Sequence, residues 1–207
     1  EFAKEGAVAK LMLAIDSGLG REGVPPAAAP DIAAAIATLP GIDLIGIYTH
    51  EGWTYAAKDA DDLVRQAEAA GILMVGVADS IRARGIKLPV VSLGASASAR
   101  AVAQVKGVTQ IRPGIYAFND VGQIALGNAT LATTAIRVMA TVVSHPEAGR
   151  ACIDAGSKSL STDLVPAVAR RGEYPGMGLL VNPPGWVIDP TSAEPGCPRR
   201  HGPRPPP

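Results

Sequence analysis

The regular alternation of short apolar runs with helical segments constrains this chain most strongly. Four runs, "KLMLAID", "IDLIGIYTH", "LPVVSLG" and "VTQIRPG", predict buried strands, and segments rich in helix formers, such as "PDIAAAIATLP", separate them. The predicted order β-α-β-α-β-α-β is typical of parallel strands joined by crossover helices. Four strands cannot close an eight-stranded barrel, so the pattern allows either an open sheet or half of a barrel.

The sequence changes in character after Gly127. "LATTAIRVMATVVSHP" and "GRACIDAGSKSLSTD" carry β-branched residues without a helical period, which predicts strands of a second unit. The end of the chain, "PRRHGPRPPP", is rich in proline and poor in apolar residues, which is typical of disorder. We therefore predict an α/β unit over 1–127, a β-rich unit over 128–190, and a disordered or aberrant tail over 191–207.

Composition favours small-molecule chemistry over nucleic-acid or membrane binding. Nineteen basic and nineteen acidic residues give a net charge of zero, so no long-range field attracts a polyanion or an anionic membrane. The amino terminus lacks the layout of a signal peptide, and the two cysteines lie too far apart in the sequence for a disulfide framework or a tight zinc motif. The sequence therefore predicts a cytoplasmic protein with a small-molecule partner.

The predicted strand ends carry the candidate functional residues. Ligands of parallel α/β folds bind at the carboxyl ends of the strands, where this sequence places Arg21, His50, 92–98 and 112–116. "SLGASAS" offers small residues, hydroxyls and exposed backbone N–H groups, and "RPGIY" adds further N–H donors and a cation, as a phosphate site requires. Taken singly, each feature also fits a capped turn, a surface ion pair or a buried histidine. Their shared position at consecutive strand ends favours the phosphate site.

Several motifs also resemble a known family. "IDSGLGREGV", "GIYTHEG", "VVSLGAS" and "IRPGIYAFND", in this order, are similar to the alanine-racemase-type barrel that binds pyridoxal phosphate. "ATVVSHPEAGRACIDAGSKSLSTD" resembles the β-domain of the D-serine dehydratase and D-threonine aldolase branch. The resemblance implies the carboxyl-terminal half of a TIM-type (β/α)8 barrel followed by part of a β-rich domain.

The same resemblance implies roles for individual residues. It places His50 against the pyridine ring, Arg21 near the phenolic oxygen, and Arg112 facing the ring nitrogen. An arginine there keeps its proton, so the ring would remain unprotonated and be a weaker electron sink. The remaining residues implied in cofactor binding, all in the two phosphate-binding turns, are Ser92, Gly94, Ala95, Ser96, Gly114, Ile115 and Tyr116.

The resemblance further implies a lyase acting on D-β-hydroxy amino acids, by D-threonine aldol cleavage or D-serine dehydration. Members of this branch are expected to be homodimers and to use a divalent ion, zinc or manganese, whose His-x-Cys or His-x-Asp motif this sequence lacks. The Schiff-base lysine of the family precedes Lys10, and Lys158 is not a convincing substitute. We therefore expect this chain to be a fragment that is inactive alone.

Two other functions remain open from the sequence. An amino-acid racemase would use the same cofactor, but it needs a tyrosine from a different carboxyl-terminal domain. A non-catalytic pyridoxal-phosphate-binding protein would fit a chain without the lysine. We expect the lyase because the β-domain motif favours it over the racemase.

Overall fold

A computed structural model describes residues 2–148, 150–156, 159–161, 178–179, 181, 186–188 and 198–200. The chain divides into two compact units, Glu1–Tyr116 and Ala117–Pro207. The predicted boundary lies near residue 128, after the short helix Val121–Ala125, so the structure begins its second unit earlier than the predicted limit.

The first unit is a four-stranded parallel sheet with helices between its strands. The strands are β1 (Ala9–Ala14), β2 (Ile42–Tyr48), β3 (Val90–Leu93) and β4 (Gln110–Ile111). The helices between them are α1 (Ala29–Ala37), α2 (Ala60–Arg82) and α3 (Ala99–Val102). The α/β alternation predicted from the sequence is confirmed.

The strand order separates a barrel from a doubly wound sheet. All neighbouring strands are parallel, and their spatial order β1-β2-β3-β4 follows the sequence. In a doubly wound sheet the order in which strands are added reverses at a switch point, whereas the strands of a barrel follow one another around a ring. The order therefore matches part of a TIM-type barrel, and the predicted fold class is confirmed.

Helix α2 covers this sheet with one apolar stripe. Asp59 accepts a hydrogen bond from the Asp62 N–H and caps the amino-terminal end of the helix. The buried residues recur every three or four positions, which is the period of one helix face. They are Leu63, Ala67, Ala70, Gly71, Met74, Val77, Ala78 and Ile81.

The third helix is shorter than predicted. The segment "SASARAVAQV" indicates a helix over 96–105, but α3 covers only Ala99–Val102 and is followed by turns. Within the turn before the helix, the Ala95 carbonyl accepts from the N–H groups of Ser98 and Ala99. This compact turn carries the predicted phosphate-binding residues.

The second unit contains an antiparallel sheet. Its strands are β5 (Val142–Glu147), β6 (Arg150–Ile153), β7 (Gly178–Leu179), β8 (Trp186–Ile188) and β9 (Pro198–Arg200), in the order β5-β6-β9-β8-β7. Cys152 on β6 is disulfide-bonded, which the cysteine count did not predict. Within the tail predicted to be disordered, β9 is a strand, and the rest of that tail and Lys158 lie outside the described residues.

Candidate functional site

The two loops predicted to bind phosphate meet at the ends of β3 and β4. The Ser96 hydroxyl, in the loop after β3, accepts hydrogen bonds from the backbone N–H groups of Gly114 and Ile115, each at 3.1 Å. Ser96 is half-buried, and the two N–H donors lie on exposed residues after β4. One hydroxyl and two backbone donors therefore converge at one point that solvent can reach.

Glu51 is a buried acid at this site that the sequence did not reveal. Its side chain, from the end of β2, is fully buried. It accepts from the Gly94 N–H at 3.0 Å and the Ala95 N–H at 2.7 Å. The Ser98 hydroxyl also donates to it through a short hydrogen bond.

These contacts occupy two donors that were predicted to bind phosphate. A backbone N–H already paired with a carboxylate is not free for a second anion. Gly94 and Ala95 therefore bind Glu51 in this structure, whereas Ser96, Gly114 and Ile115 remain grouped together. The only sequence signal for this arrangement was an acid next to His50, in "THEGW".

Arg112 lies at the end of β4 and is held by three groups from neighbouring strands. Its Nε donates to the Ser92 hydroxyl at 3.0 Å, and one terminal nitrogen donates to the Thr49 carbonyl. Its guanidinium lies 5.2 Å from the centre of the Tyr48 ring, within the range of a cation–π interaction. The cation is therefore fixed at the same strand ends as the Ser96 hydroxyl and the two backbone donors.

His50 lies beside the glycine that follows Glu51. A β-carbon built on Gly52 would lie 3.2 Å from His50 Nε2 and 3.3 Å from Leu19 Cδ1. The absence of a side chain at Gly52 therefore leaves space for the imidazole and for the loop after β1. His50 is half-exposed, and its predicted stacking on a cofactor remains a prediction.

The loop after β1 is shaped by Asp16. Asp16 Oδ1 accepts from the N–H groups of Gly18 at 2.9 Å and Gly20 at 3.1 Å. The Gly20 and Gly18 contacts lower the pKa of the Asp16 carboxyl from its ordinary value of 3.8. A hydrogen bond between the hydroxyls of Ser17 and Thr49 ties this loop to the end of β2.

The surroundings of two predicted residues do not directly support their assigned roles. Arg21, on the loop after β1, pairs with its neighbour Glu22 at 2.9 Å, and 58% of its side chain is exposed. Tyr116 follows the convergent donors and is 68% exposed. Their assigned roles therefore remain predictions.

Two further observations concern metal ions and membranes. Within the described ranges, no group of three or more His, Cys, Asp or Glu residues is placed to hold a metal ion. None of the described helices combines the length and the apolar character needed to cross a bilayer.

The fold and site together define an α/β barrel-type protein with a candidate anion site at the ends of adjacent strands. The chain belongs to the family described as the alanine racemase N-terminal domain, whose model matches residues 1–121. A second model, the putative serine dehydratase domain, matches residues 135–202. These matches confirm the resemblance to the fold type III pyridoxal-phosphate family.

Curated relatives identify the branch of the family. The chain is 32% identical over 202 residues to D-threo-3-hydroxyaspartate dehydratase from Delftia sp. (strain HT23), covering 96% of this chain and 52% of the relative. It is 31% identical to D-serine dehydratase from Dictyostelium discoideum, covering 79% of this chain and 43% of the relative. The chain thus spans about half the length of the curated relatives it matches.

Solved structures support the same fold. The structure of the Delftia dehydratase matches with a TM-score of 0.81 at 32% identity, covering 95% of this chain and 54% of that one. D-threonine aldolase from Filomicrobium marinum matches with a TM-score of 0.72, over 95% of this chain and 52% of that one. At 24% identity the second match shows the fold alone.

Proposed function

We propose that this chain provides the phosphate-binding part of a pyridoxal-phosphate-dependent lyase that acts on D-β-hydroxy amino acids. The observation that carries the proposal is the convergence of the Ser96 hydroxyl with the backbone N–H groups of Gly114 and Ile115. The names of the dehydratase relatives support the substrate class.

The convergent donors fit a phosphate group. In the structure, the Ser96 oxygen accepts from both N–H groups, and an oxygen of a phosphate is an acceptor of the same kind. A bound phosphate would take the two backbone donors, and the Ser96 hydroxyl would rotate to donate as well. All three groups lie where solvent reaches them, so no core side chain has to move to admit the ligand.

The proposal narrows the predicted phosphate site. Ser96, Gly114 and Ile115 hold the phosphate, because Gly94 and Ala95 already donate to Glu51. The Gly94 backbone has φ of +113°, a conformation that glycine adopts without strain. Gly94 and Ala95 therefore shape the turn that presents Ser96.

Arg112 would orient the cofactor ring. Three groups on β2 and β3 hold its guanidinium, so the cation has a fixed position at the strand ends. An arginine does not give up its proton near neutral pH. When bound, pyridoxal phosphate supplies the electron sink for breaking a bond at the substrate Cα. If Arg112 faced the ring nitrogen, it would give that nitrogen no proton, and the cofactor would be a weaker electron sink.

Further properties of the whole protein are part of the proposal. We propose that the whole protein is a cytoplasmic homodimer and that it uses a divalent ion. The described residues of this chain include no cluster of three or more His, Cys, Asp or Glu that could hold the ion, so its ligands would come from other residues. A cysteine variant of a D-threo-3-hydroxyaspartate dehydratase was solved in a metal-free form, which supports a metal in that relative.

Ligand binding by the 207-residue chain tests the phosphate site. We expect pyridoxal 5′-phosphate to bind more tightly than pyridoxal, because the two compounds differ only in the phosphate. Ser96→Ala should remove most of that difference. Ser80→Ala is the control, because the Ser80 hydroxyl lies on the exposed side of α2 and bonds the Gly76 carbonyl. Equal affinities for the two compounds in the unmodified chain would refute the phosphate site.

Turnover by the whole protein tests the reaction. D-Serine, D-threonine and D-threo-3-hydroxyaspartate should be consumed with release of a keto acid and ammonia or of glycine and an aldehyde. A chelator should abolish the activity if a divalent ion takes part. Racemisation of alanine without lyase products would contradict the proposed reaction, and tight cofactor binding without any turnover would indicate a non-catalytic binding protein.

A further inference from the structure

The buried Glu51 carboxylate lies in a network that has no part in the reaction described above. One of its oxygens accepts from the Ala95 N–H and the Ser98 hydroxyl, and the other accepts from the Gly94 N–H. Ionised acids are rarely fully buried without partners, because burial removes their hydration. Here two backbone donors and one hydroxyl replace the lost water.

This network joins two loops that are distant in sequence. Glu51 follows β2, and the donors follow β3, forty-three and forty-four residues later. Thr54 secures the acid from its own side, because its hydroxyl and its N–H both donate to the Glu51 carbonyl. The carboxylate is therefore a fixed point against which the turn after β3 is built.

The turn leads directly to Ser96. The peptide groups of Gly94 and Ala95 precede that residue, so their orientation sets the direction of its Cα–Cβ bond. Ser96 is then the residue that meets the Gly114 and Ile115 N–H groups. We propose that Glu51 is a positioning residue, which holds the turn after β3 so that the Ser96 hydroxyl meets the two N–H groups after β4.

Glutamine is the sharpest replacement because it keeps the shape of glutamate. It has one acceptor oxygen where glutamate has two, and its NH₂ group is a donor. In Glu51→Gln, that NH₂ would face a buried backbone N–H, so two donors would oppose each other. The turn must then shift, and Ser96 should move away from its partners.

Amide hydrogen exchange of the 207-residue chain tests this without any ligand. In Glu51→Gln, the N–H groups of Gly114 and Ile115 should exchange about tenfold faster, which corresponds to the loss of one ordinary hydrogen bond. Asp59→Asn is the matched control, because Asp59 also accepts a backbone N–H but caps α2. Unchanged exchange at Gly114 and Ile115 in Glu51→Gln would overturn the proposal.

Ligand affinity provides a second test, which rests on the proposed phosphate site. Pyridoxal 5′-phosphate should bind Glu51→Gln about tenfold more weakly, whereas its affinity for Asp59→Asn should not change. In the Ser96→Ala background, Glu51→Gln should cause no further loss, because it acts through Ser96. An additive loss would overturn the proposal. A gain in affinity would also overturn it, since the freed Gly94 and Ala95 N–H groups would then bind phosphate themselves.

The two experiments separate this proposal from the proposed function. Faster exchange at Gly114 and Ile115 without any phosphate-dependent binding would support Glu51 as a positioning residue and refute the phosphate site. Phosphate-dependent binding with unchanged exchange would support the phosphate site and overturn the role of Glu51 as a positioning residue.

Discussion

Gly71 in the middle of α2 lies close to the segment after α3. A β-carbon built on Gly71 would lie 2.8 Å from Val105 Cγ2 and 3.1 Å from Val105 Cβ. Valine is stiff about χ1, so its methyl group cannot simply swing aside. The perturbation that tests this packing is Gly71→Ala.

Two effects of opposite sign determine the result. Replacing glycine by alanine inside a helix stabilises it by about 1 kcal/mol. Forcing an extra methyl group into a packed contact costs about 1–3 kcal/mol. Gly71→Ala should therefore change the free energy of unfolding by between about zero and 2 kcal/mol in the destabilising direction.

Gly76→Ala is the matched control on the same helix. A β-carbon there would meet nothing within 4 Å, so only the gain in helix propensity of about 1 kcal/mol remains. The two variants should thus differ by about 1–3 kcal/mol. At about 4 °C per kcal/mol for a unit of this size, their Tm values should differ by about 4–12 °C.

Thermal unfolding followed by circular dichroism measures this difference. Both variants contain the same amino acids in the same helix, so effects on the unfolded chain largely cancel. We expect Gly76→Ala to melt above the unmodified chain and Gly71→Ala to melt at or below it. Equal stabilisation by both substitutions would refute the close packing of α2 on Val105.

Three further predictions concern the strand ends. The lowered pKa of Asp16 stabilises the folded state above the ordinary value of 3.8, and this stabilisation is lost as the pH falls through the lowered pKa. Asp16→Asn should therefore weaken the dependence of Tm on pH below about 4, as acid titrations would show. Gly23→Ala should unfold at lower urea concentration, because Gly23 has φ of +102° and a β-carbon would lie 2.6 Å from the Asp16 nitrogen. Arg112→Lys should weaken pyridoxal 5′-phosphate binding measured by calorimetry, because lysine cannot contact Ser92, Thr49 and Tyr48 with one planar group.

Much of the fold followed from local patterns. The strands β2, β3 and β4 lie within the apolar runs that predicted them, and β1 begins one residue before its run. Helix α2 ends shortly before Gly85, whose φ of +81° is typical of a residue that terminates a helix. The choice between an open sheet and a barrel could not be made from periodicity. It depends on which strands become neighbours, and that is a property of the whole sheet.

The candidate site was also only partly predictable from the sequence. Ser96 and the Gly114–Ile115 pair were predictable, because parallel strands place their carboxyl ends at one edge. Glu51 was not, because nothing in "THEGW" indicates that the acid is buried or that it accepts from the turn after β3. For the same reason, the sequence did not indicate that the Gly94 and Ala95 N–H groups donate to Glu51, and their assignment to phosphate remains a prediction. Sequence shows which N–H groups are available in a turn, but not which acceptor elsewhere in the fold already binds them.

The Ser96 hydroxyl and the two backbone N–H donors all come from one compact unit and from loops that follow adjacent strands. Their positions depend on the β3–β4 pairing and on the turn that Glu51 holds, and both lie within Glu1–Tyr116. We therefore expect phosphate binding to require no residue from the second unit. The proposed lyase activity would also need a lysine that forms the Schiff base. Affinity for the phosphate of the cofactor and turnover of a substrate should consequently be separable in this protein. Substitutions at Ser96 or Glu51 should lower the affinity for pyridoxal 5′-phosphate even where no substrate is turned over.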